Sequence, residues 1–513
     1  MDRNLLLAIV LSVGVYAAWF GLVERRVARA PASQASTLES PGAPQAAPQS
    51  RPPSAPVDQP EQKPKDSPED REELAKRSSK ITLGSAQALV MAQGAALISW
   101  TEQAPLGDVE LVEEPRPGFL ATWTDIRFTQ ETKNPNRFWA RRSDGLKMIK
   151  EFRPGVGEAL PTLSITLVNE GARVAESADW SLSLGPGLGT IASERQENRK
   201  VWRQLALRKG EKGLAGKIEV LQPGKAPGDY RWAGIDNRYF LAALLPPEGF
   251  SLWAGQASGP PMIELKPAGP PLQPGRSISW DIPFYIGPKG HSWLKHYELG
   301  LERSIDFGYF SQLGRFIMNV LTAIHRWTGN WGWSIILLTL LLQIGLFPLT
   351  YKSLKAMSAM KKLQPELARL QQRYANDKEK YQREMMELYR KSGANPLGGC
   401  LPLLLQLPIF YALYNALRNA WELHGASWVL WIRDLSAKDP YYVLPLIMGA
   451  IMFFQNKMNP PSTDPAQAQI MTWMPVIFTF MFLNFPSGLV LYWLTNSLLS
   501  ALQQMALKNR LSA

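Results

Sequence analysis

Long apolar segments constrain this chain more than any other feature, because they are concentrated in two regions and not spread evenly. One lies near the N-terminus, and the others follow one another after Trp331. A helix that crosses a bilayer needs roughly 20 mostly apolar residues. The sequence therefore predicts six membrane spans: Leu5–Val23, Trp331–Thr350, Leu397–Ala420, Tyr441–Met458, Ile470–Phe485 and Gly488–Leu507.

The N-terminal apolar segment has two interpretations. Small residues at positions 28–30 resemble a signal-peptide cleavage site, but the apolar run is longer than the core of an ordinary signal peptide. We therefore favour an uncleaved transmembrane anchor at residues 1–23. Residues 24–80 are rich in proline, which is typical of an extended, disordered tether that cannot bury a core.

Short runs of alternating apolar residues, punctuated by Gly and Pro, follow the tether. In Thr162–Gly171, for example, Leu163, Ile165 and Leu167 share one face before an Asn-Glu-Gly turn. Such runs predict an antiparallel β-sandwich, and about 220 residues are enough for a separate core. The predicted fold class is a multi-pass α-helical membrane protein with six spans and an antiparallel β-sandwich domain at residues 81–305.

Two further segments flank the second span. Residues 306–328 have apolar residues at helical spacing, which predicts an amphipathic helix in the membrane interface or, alternatively, one packed on the sandwich. Residues 351–396 have more basic than acidic residues and two helical patterns, about Ser353–Tyr374 and Lys378–Lys391, with a break at 376–377. They predict a polar helical hairpin outside the bilayer.

The charge of this hairpin determines the predicted topology, because loops that stay in the cytoplasm are rich in Lys and Arg. Alternation of the spans then places both termini in the cytoplasm and residues 24–330 in the periplasm. The first span conflicts with this assignment, since Arg25, Arg26 and Arg29 lie on its outer side and Arg3 on its inner side. The five later spans outweigh the conflict, and cytoplasmic basic loops explain much of the net charge of +12 without a nucleic-acid partner.

Uncharged polar residues within the spans are the candidate functional residues, because polar groups in hydrocarbon usually face the protein interior or water. Some of them will only join neighbouring helices, but their number favours a hydrated internal groove. The spans contain Thr339, Gln343, Gln406, Asn415, Asn419, Gln455, Thr472, Thr479, Asn484, Thr495, Asn496 and Gln503.

Several function classes are disfavoured by what the sequence lacks. No ionisable residue lies deep in the five C-terminal spans, whereas a proton relay normally needs one. No nucleotide-binding loop, catalytic triad order or metal-ligand spacing is found, so we expect no enzyme activity, cofactor or metal. Two alternatives remain open: a channel or solute transporter with a polar pathway, and a periplasmic sugar-binding or sugar-modifying protein that is anchored in the membrane.

Five motifs in the C-terminal half closely resemble the YidC membrane protein insertases of the YidC/Oxa/Alb family. They are GNWGWSI (329–335), FPLT (347–350), NPLGGCLPLLLQLPIF (395–410), DPYYVLPLIMG (439–449) and MPVIFTFMFLNFPSGLVLYW (474–493). The N-terminal half resembles the Gram-negative form, which has a large periplasmic domain. The resemblance extends over essentially the whole chain and is weakest across the tether.

The resemblance implies an insertase and folding chaperone that places newly made proteins in the bacterial inner membrane without hydrolysing a nucleotide. It also implies a periplasmic β-supersandwich at residues 81–305 and a five-span insertase core at residues 329–513. The implied partners are nascent membrane proteins, the Sec translocon, lipids, and the ribosome or targeting machinery at the cytoplasmic face.

Candidate site residues follow from the motifs and from the polar positions. The groove candidates are Thr339, Gln343, Asn415, Asn484 and Thr495. The resemblance implies that clients slide along a wall containing Leu401, Leu407, Pro408, Phe410, Tyr492 and Trp493. We predict that the hairpin recruits cytoplasmic partners through Lys361, Lys362, Arg369, Arg373 and Arg383, the alternative being a charged loop that only determines topology.

Two groove positions depart from the family pattern. Gln343 stands where the family usually has an arginine, and Asn484 stands where some members have tryptophan. Thr339 matches the family's groove threonine. We therefore expect that hydration of the groove, and not a fixed positive charge, is sufficient for activity in this chain.

Overall fold

The computed structural model describes residues 68–84, 86–155, 157, 159–210, 216–255, 259–375, 377–392, 401–458 and 465–512. The predicted anchor at residues 1–23 and most of the predicted tether lie outside these residues. Residues 66–463 and 471–513 form one compact unit. The described part of this unit is β-rich up to Pro288 and helical after it.

The β-rich domain is built from short strands separated by turns. The strands are β1 (Ser79–Leu83), β2 (Ala86–Met91), β3 (Ala96–Glu102), β4 (Val109–Glu110), β5 (Thr129–Gln130), β6 (Arg137–Arg141), β7 (Leu146–Arg153), β8 (Thr162–Asn169), β9 (Leu182–Leu184), β10 (Arg203–Arg208), β11 (Ile218–Val220), β12 (Gly224–Ala226), β13 (Tyr230–Asp236), β14 (Phe240–Leu244), β15 (Phe250–Ala254), β16 (Ile263–Pro267) and β17 (Ser277–Pro288).

These strands form antiparallel sheets that share a core. The sheet orders are β1-β2-β3-β4, β11-β10-β13-β14-β17-β8-β7-β6-β5 and β12-β15-β16-β9. The alternation predicted around Thr162–Gly171 is confirmed, because Leu163, Ile165 and Leu167 of β8 are all buried. Residues from all three sheets contribute to one apolar cluster, so the predicted antiparallel β-rich domain is confirmed.

The structure differs from the predicted tether over its last residues. A helix, α1, spans Pro68–Lys76, and β1 begins at Ser79. Arg71 of α1 donates from Nη2 to the backbone oxygens of Val112, at 2.9 Å, and Glu113. The proline-rich composition predicted a disordered tether here, but a proline that begins a helix and an arginine that satisfies two carbonyls order this segment.

The helical part begins directly after β17, and one further short helix, α2 (Arg195–Val201), lies within the β-rich domain. The remaining helices are α3 (His291–His296), α4 (Ser311–Thr328), α5 (Trp331–Lys362), α6 (Gln364–Arg373), α7 (Lys378–Lys391), α8 (Leu401–Asn419), α9 (Val443–Met458), α10 (Pro465–Phe482) and α11 (Ser487–Ser512). Among the described helices, α5 is long and apolar enough to cross a membrane, while 443–458 and 469–482 are shorter apolar helices. Six spans therefore remain a prediction.

The predicted amphipathic helix is present as α4, and its place in the membrane interface stays a prediction. Its buried stripe, which includes Ile317, Met318 and Leu321, packs against α5 and α8. Phe316 and Trp327 on the same helix are exposed by 62% and 93%. The stripe therefore packs against membrane helices, while these two aromatic side chains lie on the outer surface of α4.

The hairpin begins later than predicted, because α5 continues without interruption to Lys362. The predicted helix Ser353–Tyr374 is consequently divided at Leu363, between α5 and α6. Pro365 explains the division, since it has no backbone N–H to donate to the carbonyl four residues earlier but is tolerated in the first turn of a helix.

The second helix of the hairpin has the predicted bounds, Lys378–Lys391. The Asp377 carboxylate accepts a hydrogen bond from the Lys380 backbone N–H at 2.9 Å. Such an N-cap satisfies a backbone donor that has no partner within the helix. The predicted break at 376–377 is therefore confirmed at Asp377.

Candidate intramembrane site

Gln343 joins two helices of the membrane region. Its side chain is 7% exposed in the middle of α5. The Nε2 group donates to Asn496 Oδ1 at 2.6 Å and to Ser500 Oγ at 3.1 Å, both on α11. Asn496 and Ser500 are four residues apart and so lie on one face of α11. The amide predicted to line a groove thus has protein partners in this structure.

Thr339 and Thr495 satisfy their hydroxyl groups within their own helices. Thr339 Oγ1 donates to the Ile335 carbonyl at 2.7 Å, and Thr495 Oγ1 donates to the Leu491 carbonyl at 2.8 Å. Both side chains are buried. Bonds of this type leave little need for water, because the hydroxyl donor already has a backbone acceptor four residues earlier.

The other two groove candidates lie elsewhere. Asn415 of α8 donates to the Tyr411 carbonyl at 2.8 Å, and Asn484 is exposed in the turn between α10 and α11. Asn484 lies away from the Gln343 contact, because Asn496 is more than two turns into α11, about 13 Å along the helix from its start. Among the described residues, no two of the five groove candidates are hydrogen-bonded to each other.

Two of the predicted client-contacting residues are in a cluster of aromatic rings between α8, α10 and α11. Phe410 and Trp493 pack edge to face with ring centroids 4.8 Å apart. Phe478 and Phe482 lie 5.9 and 5.3 Å from Trp493. Offset and edge-on pairs of this kind stabilise helix contacts beyond simple burial.

The Leu407 side chain of α8 is 54% exposed, and Pro408 next to it is partly buried. The Leu401 side chain lies outside the part of the chain whose side chains are described. Tyr492 is only 1% exposed, and its hydroxyl accepts a hydrogen bond from Gln406 Nε2 at 2.8 Å. Tyr492 and Trp493 therefore face different surroundings in this structure, because adjacent helical residues point about 100° apart. Their contact with a client stays a prediction.

The sequence analysis did not assign Asn496, Ser500 or Gln406 to the site. Asn496 and Gln406 were noted as polar residues within spans, but their partners depend on how the helices are rotated. The four-residue spacing of Asn496 and Ser500 is the signal that could have indicated a polar face on α11 toward Gln343.

The segment between α8 and α9 is an ordered loop. Asp439, which is 1% exposed, accepts hydrogen bonds from the backbone N–H groups of Leu444 and Tyr441 at 2.7 and 3.0 Å. Ile432 and Leu435 of this loop are buried in the apolar cluster of the membrane helices. The loop therefore packs over one end of the helix bundle.

The hairpin lies at the other end of α5. The five predicted partner-binding residues, Lys361, Lys362, Arg369, Arg373 and Arg383, are all exposed. A cleft of about 280 Å³ between α6 and α7 contains both Arg369 and Arg373 and the carboxylates of Glu366, Glu384 and Glu387. The surface is thus basic overall, but its charges alternate. Within the described residues, no cluster of three or more His, Cys, Asp or Glu could hold a metal ion.

Comparison with known proteins identifies the family. The model of the 60Kd inner membrane protein family matches residues 323–513, and that of the YidC periplasmic domain matches residues 205–320. A membrane protein insertase YidC from Endomicrobium trichonymphae is 37% identical over 434 residues, which is 82% of this chain and 82% of that protein. One from Syntrophus aciditrophicus is 46% identical over 294 residues, or 56% of this chain and 54% of that protein.

A crystal structure of an active YidC insertase with its first transmembrane domain resolved is also similar. It is 19% identical, with a TM-score of 0.39, over 83% of this chain and 92% of that one. The sequence match to the relative from Endomicrobium trichonymphae extends over both halves of the chain and carries the assignment. The chain belongs to the family of YidC membrane protein insertases.

Proposed function

We propose that this chain inserts newly made proteins into the bacterial inner membrane through a hydrated groove that is open to lipid, and that it helps them fold. The observation that best supports a groove is the contact of Gln343 with Asn496 and Ser500, because uncharged polar groups meet there within apolar helices. A client's polar segment can exchange hydrogen bonds with such groups. This exchange lowers the free energy of placing that segment in hydrocarbon, which is otherwise several kcal/mol.

The outer surface of the helices supports the lipid-open side of this proposal. Large apolar side chains on α8, α9 and α10 are more than half exposed, including Leu407, Leu446, Phe454, Ile477 and Phe480. In water a surface of this kind would be an unfavourable apolar patch. In a bilayer it matches the acyl chains and gives a client helix an apolar surface along which to leave.

The two ends of the bundle support a direction for insertion. The loop stabilised by Asp439 packs over the end that we assign to the periplasm, and the hairpin lies at the end that we assign to the cytoplasm. In this proposal the chain has six spans, both termini are cytoplasmic, and the hairpin receives clients from the ribosome or targeting machinery. The chain acts alone or with the Sec translocon, and it acts as a chaperone and not as an enzyme.

Purified protein in liposomes tests the proposal directly. A radiolabelled single-span client is added without nucleotide or Sec components, and protease protection measures the inserted fraction. We expect insertion above that of empty liposomes, together with no solute flux in dye-release and conductance assays. Solute flux without insertion would instead support the channel or transporter alternative.

Deletion of 364–391 tests the role of the hairpin. We expect loss of insertion for a client delivered on ribosomes, while a purified client added to the same liposomes still inserts. Normal insertion in both assays would show that the hairpin only determines topology.

A further inference from the structure

A buried group of charged side chains lies where the β-rich domain meets the helical part. Asp236, which is fully buried, accepts hydrogen bonds from Lys289 Nζ at 2.8 Å and from Arg203 Nε and Nη2 at 3.1 and 2.7 Å. Arg203 extends this group, because its Nη1 donates to Asp306 Oδ2 at 2.8 Å. Arg203, Asp236, Lys289 and Asp306 together form what we term the junction network.

The charges of the junction network balance, since two cations face two carboxylates. Burial lowers the pKa of Arg203, but Asp236 and Asp306 outweigh this effect and the net result is a raised pKa. Burial lowers the pKa of Lys289 in spite of Asp236. Of the two cations, Arg203 is therefore the one whose charged form the network stabilises. Its planar guanidinium can bind two carboxylates in different directions, which a lysine cannot do as well.

Asp306 connects the junction network to the helices. Its backbone oxygen accepts a hydrogen bond from Asn419 Nδ2 at 2.6 Å, at the C-terminal end of α8. Its Oδ1 accepts one from the Gly308 backbone N–H at 2.8 Å, in the turn that precedes α4. One residue is thus held by the β-rich domain, by α8 and by its own turn.

A second set of contacts lies on the same side of the domain. His291 of α3 donates from Nε2 to Asn319 Oδ1 on α4 at 3.0 Å, and its backbone N–H donates to Glu422 Oε1 at 2.6 Å. Trp421 packs against Phe240 of β14 with ring centroids 5.0 Å apart. The β-rich domain therefore holds both α4 and the segment that follows α8.

We propose that Arg203 and Asp306 are positioning residues for membrane protein insertion. Through this ion pair the β-rich domain sets how α4 lies against α5 and α8, and thereby the shape of the client path beside Leu407 and Phe410. The proposal rests on the insertase function proposed above. It assigns the β-rich domain the role of a fixed support for the first helix of the insertase core.

The first test replaces Arg203 and Asp306 in a Cys400→Ser parent, which lacks the single cysteine of the chain. Arg203→Leu and Asp306→Asn should each lower the client insertion rate about tenfold, since a charged hydrogen bond is sufficient for a change of that size. The double variant should be no slower than Arg203→Leu, because that single variant already removes the contact with Asp306 together with those to Asp236. Arg231→Leu and Asp281→Asn are matched controls at exposed positions of the same sheet and should insert at the parent's rate.

The second test restores the connection without the charges. Arg203→Cys with Asp306→Cys should insert slowly, and a short bis-maleimide should restore the parent's rate. Both positions can be reached, since the side chains are 19% and 49% exposed. A role in folding alone would not give this rescue. Each single-cysteine variant treated with the same reagent should remain slow.

Three outcomes overturn the proposal: parental rates in Arg203→Leu and Asp306→Asn, a double variant much slower than Arg203→Leu, or slow insertion after cross-linking. Thermal unfolding of each variant in detergent identifies any that do not fold. For such a variant, the insertion rate of the cross-linked cysteine pair decides whether the proposal stands. If the Cys400→Ser parent and the unmodified protein both fail to insert the client, the proposed function fails and not the positioning role.

Discussion

The β-rich domain and the membrane helices both bury polar side chains, but of different kinds. In the domain the buried polar groups include amines and carboxylates: Lys150, which is 0% exposed and whose pKa is lowered by burial, donates to the carbonyls of Gly94, Ala95 and Leu120 at 3.0, 2.8 and 2.5 Å. In the helices they are neutral, and Gln343 finds its partners in side chains of another helix.

The difference follows from which backbone carbonyls are free. Two of the Lys150 acceptors, Ala95 and Leu120, have positive φ angles of 41° and 56° and lie in loops, so their carbonyls are not used by a regular ladder. Helix carbonyls are already paired within the helix, and hydrocarbon supplies no water. An amine can therefore be buried where loops converge, whereas a helix in a membrane joins its neighbour through amides and hydroxyls.

The largest effect is expected at Lys150. Lys150→Met removes the shared donor of three carbonyls, and those of Ala95 and Leu120 lose it without the backbone N–H of Thr122 that Gly94 retains, which should lower the free energy of unfolding by about 3 kcal/mol or more. Thermal unfolding of the full chain in detergent measures the change. Lys147→Met, on the exposed face of the same strand, is the control and should change stability little. Equal stability of the Lys150 variant and the unmodified protein would contradict this account.

A smaller effect is expected at Gln343. Gln343→Leu removes the contact between α5 and α11 and leaves Asn496 and Ser500 facing an apolar side chain, which should reduce stability by about 1 kcal/mol and slow insertion several-fold. The proteoliposome assay measures the rate. Gln343→Arg should not exceed the unmodified protein if hydration of the groove is sufficient. Faster insertion by the arginine variant would show that a positive charge is needed.

Glu422, at the boundary of the two regions, gives a pH-dependent effect. Burial raises the pKa of this carboxyl, and the hydrogen bond from the His291 backbone N–H lowers it less. A raised carboxyl pKa favours the protonated folded form, so this stabilisation is present at low pH and is lost as pH rises through the folded pKa. Glu422→Gln should remove that slope when melting temperature is compared with the unmodified protein across mildly acidic to neutral pH. An unchanged slope would mean that another group is responsible.

The smallest effect is expected at Thr339. Because its hydroxyl bonds its own helix, Thr339→Val should change stability by less than about 0.6 kcal/mol, the average for an interhelical bond. The insertion rate should also be unchanged. A large loss of insertion at normal stability would place Thr339 in contact with water or client during the reaction.

Much of the fold could be predicted from sequence because it depends on local patterns. The alternation of β8 and the capped start of α7 are both determined by neighbouring residues. The ordered helix α1 was not predicted, since Arg71 acts through carbonyls about forty positions away, and hydrogen bonds of this range leave no local pattern.

The candidate site could be predicted only in part. Gln343 was recognised as unusual, because a single amide in a long apolar run is visible in the sequence. Its partners on α11 were not, since they depend on the rotation of two helices about their axes. The same rotation determines that Tyr492 is buried while its neighbour Trp493 lies among aromatic rings.

The uninterrupted course of α5 has a mechanical consequence. With 32 residues it is about 48 Å long, whereas the hydrocarbon layer is about 30 Å thick. The helix therefore extends out of the hydrocarbon layer toward Lys362, and Gln343 lies near its middle. If a partner docks at the hairpin as proposed, we expect this helix to tilt, with Pro348 as a point where it can bend. That motion would act on the Gln343 contact that joins α5 to α11.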